Sequence, residues 1–177
     1  GDQQGLVELI RVRRPERLCG VFWFAGLIAL LVGTQRTTMR AIQIFAERGA
    51  QIVECEPSGP PAPAEVRVRI GAVALNHIDV WGWRGMAFVR RRLPIVAGAE
   101  AGGTIEAIGS DVSGLRVGQV VSLYGARTCG TCTPCVEGRD NFCEVSGTSG
   151  NIHGFHIDGF AQEAINVPAR LVVPAPA

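Results

Sequence analysis

The sequence predicts a mainly β fold, either a closed barrel or a sandwich, and three observations carry that expectation. Several short stretches alternate between apolar and polar residues, β-branched residues recur within them, and glycine and proline punctuate them at short spacing. The chain has 177 residues, 47% hydrophobic and 19% charged, with a formal net charge of +1, enough for one ordinary domain or a domain plus an extension. High apolar content and 23 glycines and 10 prolines without a period exclude disorder and collagen. Near-neutral charge argues against a nucleic-acid binder. All 17 basic residues are arginine, which we read as a compositional bias of the genome.

Residues 1–38 read as a leader that differs in character from the rest of the chain. Its uncharged segment 18–35 comes after a basic stretch, as in an export signal, and is at the short limit for a membrane span of about 18 residues. Three readings stand: a leader foreign to the working protein, a membrane anchor or signal, or a buried helix. From Met39 the texture changes. Met39 to Phe45 and Glu65 to Ile70 alternate and predict half-buried strands, whereas Pro57 to Pro63 carries four prolines and suits neither a central strand nor a helix. Asn76 to Gly85 predicts a turn or short helix at the mouth of the fold, and beyond it the basic triplet Arg90 to Arg92 is read as a solvated loop. Thr104 to Ile108 and Gln119 to Leu123 predict two more strands, joined by the turn-rich Gly109 to Gly118.

Cys129, Cys132, Cys135 and Cys143 have the spacing C-x2-C-x2-C-x7-C, while Cys19 and Cys55 are isolated. A cluster this tight suits a metal better than a disulfide framework and favours a reducing, cytoplasmic setting. Four thiolates at about 2.3 Å complete a tetrahedral zinc and leave no position for substrate, so the predicted site is structural. Iron–sulfur clusters of the bacterial type use a different last spacing and a proline after it, both missing here. Arg127 and Arg139 are expected to offset part of the negative charge of such a site.

The cysteine segment, with Gly138 to Phe142 before its last ligand, resembles the structural-zinc lobe of the medium-chain dehydrogenase/reductase family, which contains the zinc alcohol dehydrogenases and quinone oxidoreductases. Gly98 to Gly103, continuing through Gly109 and Gly118, resembles that family's glycine-rich signature. Asp158 to Glu163 and Val167 to Ala169 resemble the stretch that closes its catalytic domain. The resemblance spans residues 39–177 and implies a GroES-like, partly open β-barrel with short helices and a zinc lobe. It also implies a Rossmann domain binding NAD(P)H, whose G-x-G-x-x-G turn does not occur before Ala177. The chain is therefore expected to be a catalytic-domain fragment, inactive alone, of an enzyme that is homo-oligomeric at full length.

Within the resemblance, Asn76 occupies the position of a catalytic-zinc cysteine and Ala99 that of a histidine, so a catalytic zinc is not expected. Ile78 and Trp81 stand where the alcohol dehydrogenases carry proton-relay groups. The Asn-x-Ile-Asp pattern resembles the zinc-independent quinone oxidoreductase branch, which reduces quinones or activated alkenes. Asn76, His77, Asp79 and Glu100 are the candidate catalytic residues: Asn76 an amide donor, His77 a general acid or else a brace of the turn, Asp79 a carboxylate that reads more readily as fixing the turn's backbone, and Glu100 a carboxylate that also reads as buried and paired with an arginine. Trp81 and Trp83 are read as pocket lining or packing, Cys55 as a small core residue, and His153 and His156 as ordinary surface residues of a glycine-rich loop. The expected partner is a small quinone, enone, alcohol or aldehyde, with no nucleic acid, and a membrane only if the leader is an anchor. The alternatives are a degenerate zinc alcohol dehydrogenase and a non-catalytic, zinc-stabilised binding module.

Overall fold

The computed structural model describes residues 38–85 and 92–176, so the leader up to residue 37 with its apolar segment, Arg90 and Arg91 lie outside the described residues. Two antiparallel sheets make the body: a three-stranded one in the order β2 (Gly49–Cys55), β1 (Met39–Ala46), β4 (Ile95–Val96), and a five-stranded one in the order β7 (Ala164–Pro168), β3 (Glu65–Ala74), β5 (Glu100–Ile108), β6 (Val120–Leu123), β8 (Val172–Pro174). Every pairing between these strands is antiparallel. The expected strands are present as β1, β3, β5 and β6. Strands β2, β4, β7 and β8 complete the sheets.

Alternation explains which faces are buried. Val66 and Val68 of β3, Ala101 and Ile105 of β5, Val121 and Leu123 of β6, and Ile165 and Val167 of β7 point inward and meet Phe160 in the larger core. A second cluster joins Ala41 and Ile44 of β1 to Ile95, Val96, Ala97 and Ala161. β3 runs past its alternating stretch because two bulges against β5 absorb the change of register, the second leaving Gly71 unpaired between Ile70 and Ala72.

The two sheets are not closed into a continuous barrel; residues 161–163 join them. The Ile42 amide donates to the Ala161 carbonyl (2.7 Å) and the Glu163 amide to that of Arg40 (3.1 Å), while the Ile70 amide donates to Glu163 from the larger sheet (3.0 Å). One short extended segment thus shares hydrogen bonds with β1 and β3, giving the partly open form.

The glycine-rich stretch before it is folded inward, against expectation. Gly154 has φ of +74°, and a Cβ there would lie 2.7 to 2.8 Å from the backbone of Gly98, so its glycines permit close backbone approach rather than exposure. His153 is consequently buried at 4% exposure, stacked on Phe160 with ring centroids 4.6 Å apart, which corrects its reading as a surface residue. His156 is half-buried, with Nδ1 accepting from the Ile152 amide (3.3 Å). Among the described residues no helix is long and apolar enough to cross a membrane.

Candidate functional site: a sulfur cluster and a cavity

The four cysteines converge. Their Sγ atoms all lie within 4.8 Å of one another, with Cys129 and Cys135 at 3.9 Å, against about 3.8 Å for sulfurs around a tetrahedral zinc at 2.3 Å. The convergence is local in origin. Gly130 takes a φ of +77° and turns the chain between the first two cysteines. Cys132 caps α2 (Thr133–Val136), with Pro134 in its first turn, and Cys135 lies within that helix. Cys143 caps α3 (Glu144–Ser149), its sulfur accepting from the Ser146 amide at 3.4 Å.

Backbone amides prepare the sulfurs for charge. Cys129 Sγ accepts from the amides of Thr131 (3.4 Å) and Cys132 (3.3 Å), and Cys143 Sγ from the amide of Cys129 (3.3 Å). The amides of Thr131 and Cys132, with the Thr131 hydroxyl, bring the Cys129 thiol down to about 5. The amides of Cys129 and Ser146 likewise lower that of Cys143, whereas burial pushes Cys135 up to about 12. Four sulfurs this close share their charge unevenly, and a dication at their centre is what allows all four to ionise. A closed, all-sulfur donor set with N–H···S bonds fits zinc.

Arg127 and Arg139 do not face the sulfurs as expected. Arg139 Nε donates to Glu137 (3.1 Å), and Arg127 reaches Glu65 at 3.9 Å. The cation at the cluster is Arg170, in the turn between β7 and β8. It donates to Asp140 Oδ1 (2.6 Å) and to the Thr128 hydroxyl, and Thr128 in turn donates to the same carboxylate oxygen (3.1 Å). Arg170 is not legible in the sequence as part of the site, because nothing in its neighbourhood marks it.

The candidate catalytic residues divide between a cavity and its support. A cavity of about 920 Å³ is lined by the end of β3, the start of β5, β6 and Tyr124 to Ala126, and is mostly apolar. Asn76, Glu100, Ser122 and Tyr124 are its polar side chains, and Ala99 lies on its wall. Asn76 Nδ2 is buried with no hydrogen-bond partner. Glu100 is exposed, unlike the buried, arginine-paired carboxylate its position allowed.

His77 and Asp79 do not line the cavity. His77 is the exposed first residue of α1 (His77–Trp83), its ring 5.9 Å from that of Trp81. Asp79 is buried, its Oδ2 accepting from the Asn76 amide (2.8 Å) and its Oδ1 from the Ala99 amide (3.1 Å). Burial raises its carboxyl despite these amides. The carboxylate thereby ties the start of α1 to the start of β5 and sets Asn76 beside Ala99. Trp81 and Trp83 also stay off the cavity wall.

His153 supplies a pH dependence. Its Nδ1 meets the Asp158 carbonyl at 2.7 Å, so Nδ1 carries the proton and Nε2 is a buried acceptor without a partner. Burial lowers its pKa below the usual 6.5. The unfolded chain therefore binds the extra proton first, so the contribution is fully present above about pH 6.5 and is lost as pH falls through the folded pKa. Urea midpoints at pH 7.5 and 5.5 are expected to fall on acidification in the wild type, and less steeply in His153→Gln.

Comparison with known proteins gives a consistent picture. Residues 62–177 match the family model described as the alcohol dehydrogenase GroES-like domain. L-threonine 3-dehydrogenase of Pyrococcus furiosus is 33% identical over 128 residues, 71% of this chain and 35% of that protein. The thermostable alcohol dehydrogenase of Pyrobaculum aerophilum superposes with a TM-score of 0.69 at 32% identity, over 79% of this chain and 41% of that one. A structure of that thermostable enzyme with cobalt and zinc bound gives a TM-score of 0.69 at 31% identity, over 79% and 42%. The chain spans about a third to two fifths of the length of these relatives.

Proposed function

The chain belongs to the alcohol dehydrogenase GroES-like domain family, and on that premise we propose that it forms the substrate-binding part of an NAD(P)H-dependent oxidoreductase of quinone-reductase type. In this reading it carries one structural zinc, on Cys129, Cys132, Cys135 and Cys143, and none in the cavity. The observation that carries it is the cavity itself. Its polar side chains are an amide, two hydroxyls and one exposed carboxylate, with no cysteine or histidine to hold a catalytic zinc.

The nicotinamide supplies the hydride in such chemistry. What this chain contributes is orientation and charge stabilisation. The Asn76 amide, buried and without a partner, is a donor for the substrate carbonyl oxygen, where negative charge gathers as the conjugated system is reduced. Asp79 holds that amide in place through the backbone, and the wall from Ala72 to Ala74, with Leu123 and Val173, offers an apolar face to a flat ring or alkene. His77, off the cavity wall, is not placed to act as the acid. The pairings between the named strands of the described residues are all antiparallel, which supports the reading that the dinucleotide site belongs to a separate parallel domain and that the chain alone is inactive.

The test uses the enzyme with its cofactor domain. We expect one zinc per chain by metal analysis and NADPH-dependent reduction of a quinone or enone. Asn76→Ala is expected to lower kcat/KM by about 10²-fold, the scale for losing one such donor. Two zincs per chain, or activity only toward simple alcohols, would sink the proposal.

A further inference from the structure

We propose that Arg170 is a positioning residue of the sulfur cluster, holding the Asp140 carboxylate in a neutral pair so that four cysteine sulfurs can gather around one dication. The inference rests on the zinc reading of the cluster.

Asp140 is the source of the difficulty that Arg170 resolves. It comes after the loop that leaves α2, and its carboxylate accepts from the thiol of Cys135, one of the two buried cysteines of the cluster. Four thiolates around zinc already carry a net charge of about −2, and a bare carboxylate beside them would raise it further. Arg170 meets that carboxylate at 2.6 Å and holds its Oγ1 partner Thr128 with the other arm of the fork. The planar guanidinium makes both bonds at once, which a lysine ammonium does less well. It also lies within electrostatic reach of Cys135.

Packing makes the arrangement specific. The guanidinium lies so close under the Gly130 turn that a Cβ there would stand 2.7 Å from Arg170 Nε. Arg170 itself is anchored in the larger sheet, where the neighbouring Leu171 is 1% exposed and its carbonyl accepts from the Tyr124 amide at 2.8 Å. A single side chain therefore joins the lobe to the sheet and neutralises the charge at its edge. Arg127 and Arg139 cannot substitute, because each is engaged with a glutamate.

The test is zinc affinity of the full chain, by competition with a chromophoric chelator, with the cobalt(II) spectrum confirming an unchanged ligand set. Arg170→Met is expected to bind zinc about 10- to 100-fold more weakly, the range for losing a partner of a metal ligand. The double variant Asp140→Asn with Arg170→Met is expected to recover to within a few-fold of wild type, since the carboxylate is gone. Arg139→Met is expected to bind as wild type. If Arg170→Met does not fold, Asp140→Asn alone decides, because it leaves the guanidinium facing the sulfurs and should bind zinc at least as tightly as wild type. Unchanged affinity in Arg170→Met overturns the inference while leaving the zinc reading intact, as does equal weakness in the double variant, which marks a strut without an electrostatic role. Tenfold weaker binding by Asp140→Asn overturns it too. A wild-type chain that takes up no zinc overturns the zinc reading and the inference together.

Discussion

Cys135→Ser is expected to abolish zinc uptake and to lower the melting temperature by about 10 °C. A metal present at a thousandfold over its dissociation constant stabilises the folded chain by about 4 kcal/mol, and about 3 °C accompanies each kcal/mol in a chain of this size. Cys135 is the informative position because it is buried within α2 and faces Cys129 at 3.9 Å, so a hydroxyl there removes a ligand from the inner side of the cluster. Neither core cluster contains a residue of the lobe, so the β structure should survive. Far-ultraviolet circular dichroism, metal analysis and a thermal scan measure all three expectations. A variant that keeps its zinc, or loses it with no change in melting temperature, contradicts the structural role.

Phe160→Ala is expected to destabilise the chain by about 3 to 5 kcal/mol, the range for emptying a large aromatic site in a packed core. Phe160 is fully buried, meets Val66, Val68 and Val167 in the larger core, and stacks on His153. The flanking segment, residues 161–163, joins the two sheets, so the surroundings cannot easily collapse into the vacancy. Urea unfolding monitored by fluorescence gives the midpoint shift, and a loss below about 1 kcal/mol would mean that the core is not packed as described. Zinc content should remain at the wild-type level, which separates this variant from Cys135→Ser.

The features legible in the sequence are those that rest on local spacing. The alternation of β1, β3, β5 and β6 is visible because one face of each is buried, and the cysteine lobe because its ligands come from one short segment. β2 escapes because it is an edge strand with mostly exposed side chains, Ile52 among them at 73%, so its pattern carries no burial signal. His153 misleads because glycines in a loop look like exposure, whereas here they allow backbone to pack on backbone. Arg170 lies 42 positions from Thr128 and 30 from Asp140, and only the return of the chain through β7 brings them together. The candidate catalytic residues illustrate another limit. Asn76, His77 and Asp79 are close in sequence, yet Asn76 is the extended residue before α1 while His77 and Asp79 lie on different faces of that helix, so one meets the cavity, one solvent and one the interior.

The joining segment at residues 161–163 has a consequence for biosynthesis. β1 is among the first described elements to leave the ribosome, but its partner Glu163 lies 123 positions later. β4 pairs that edge at Gln43 and Ile44, but until residues 161–163 emerge the Arg40 carbonyl and the Ile42 amide lack the partners they take in the finished fold and stay open to unintended pairing. The sulfur lobe is made in between, and its contacts are local enough to form on their own schedule. Assembly of the nascent chain should therefore run out of sequence order, with a late segment completing the earliest strand.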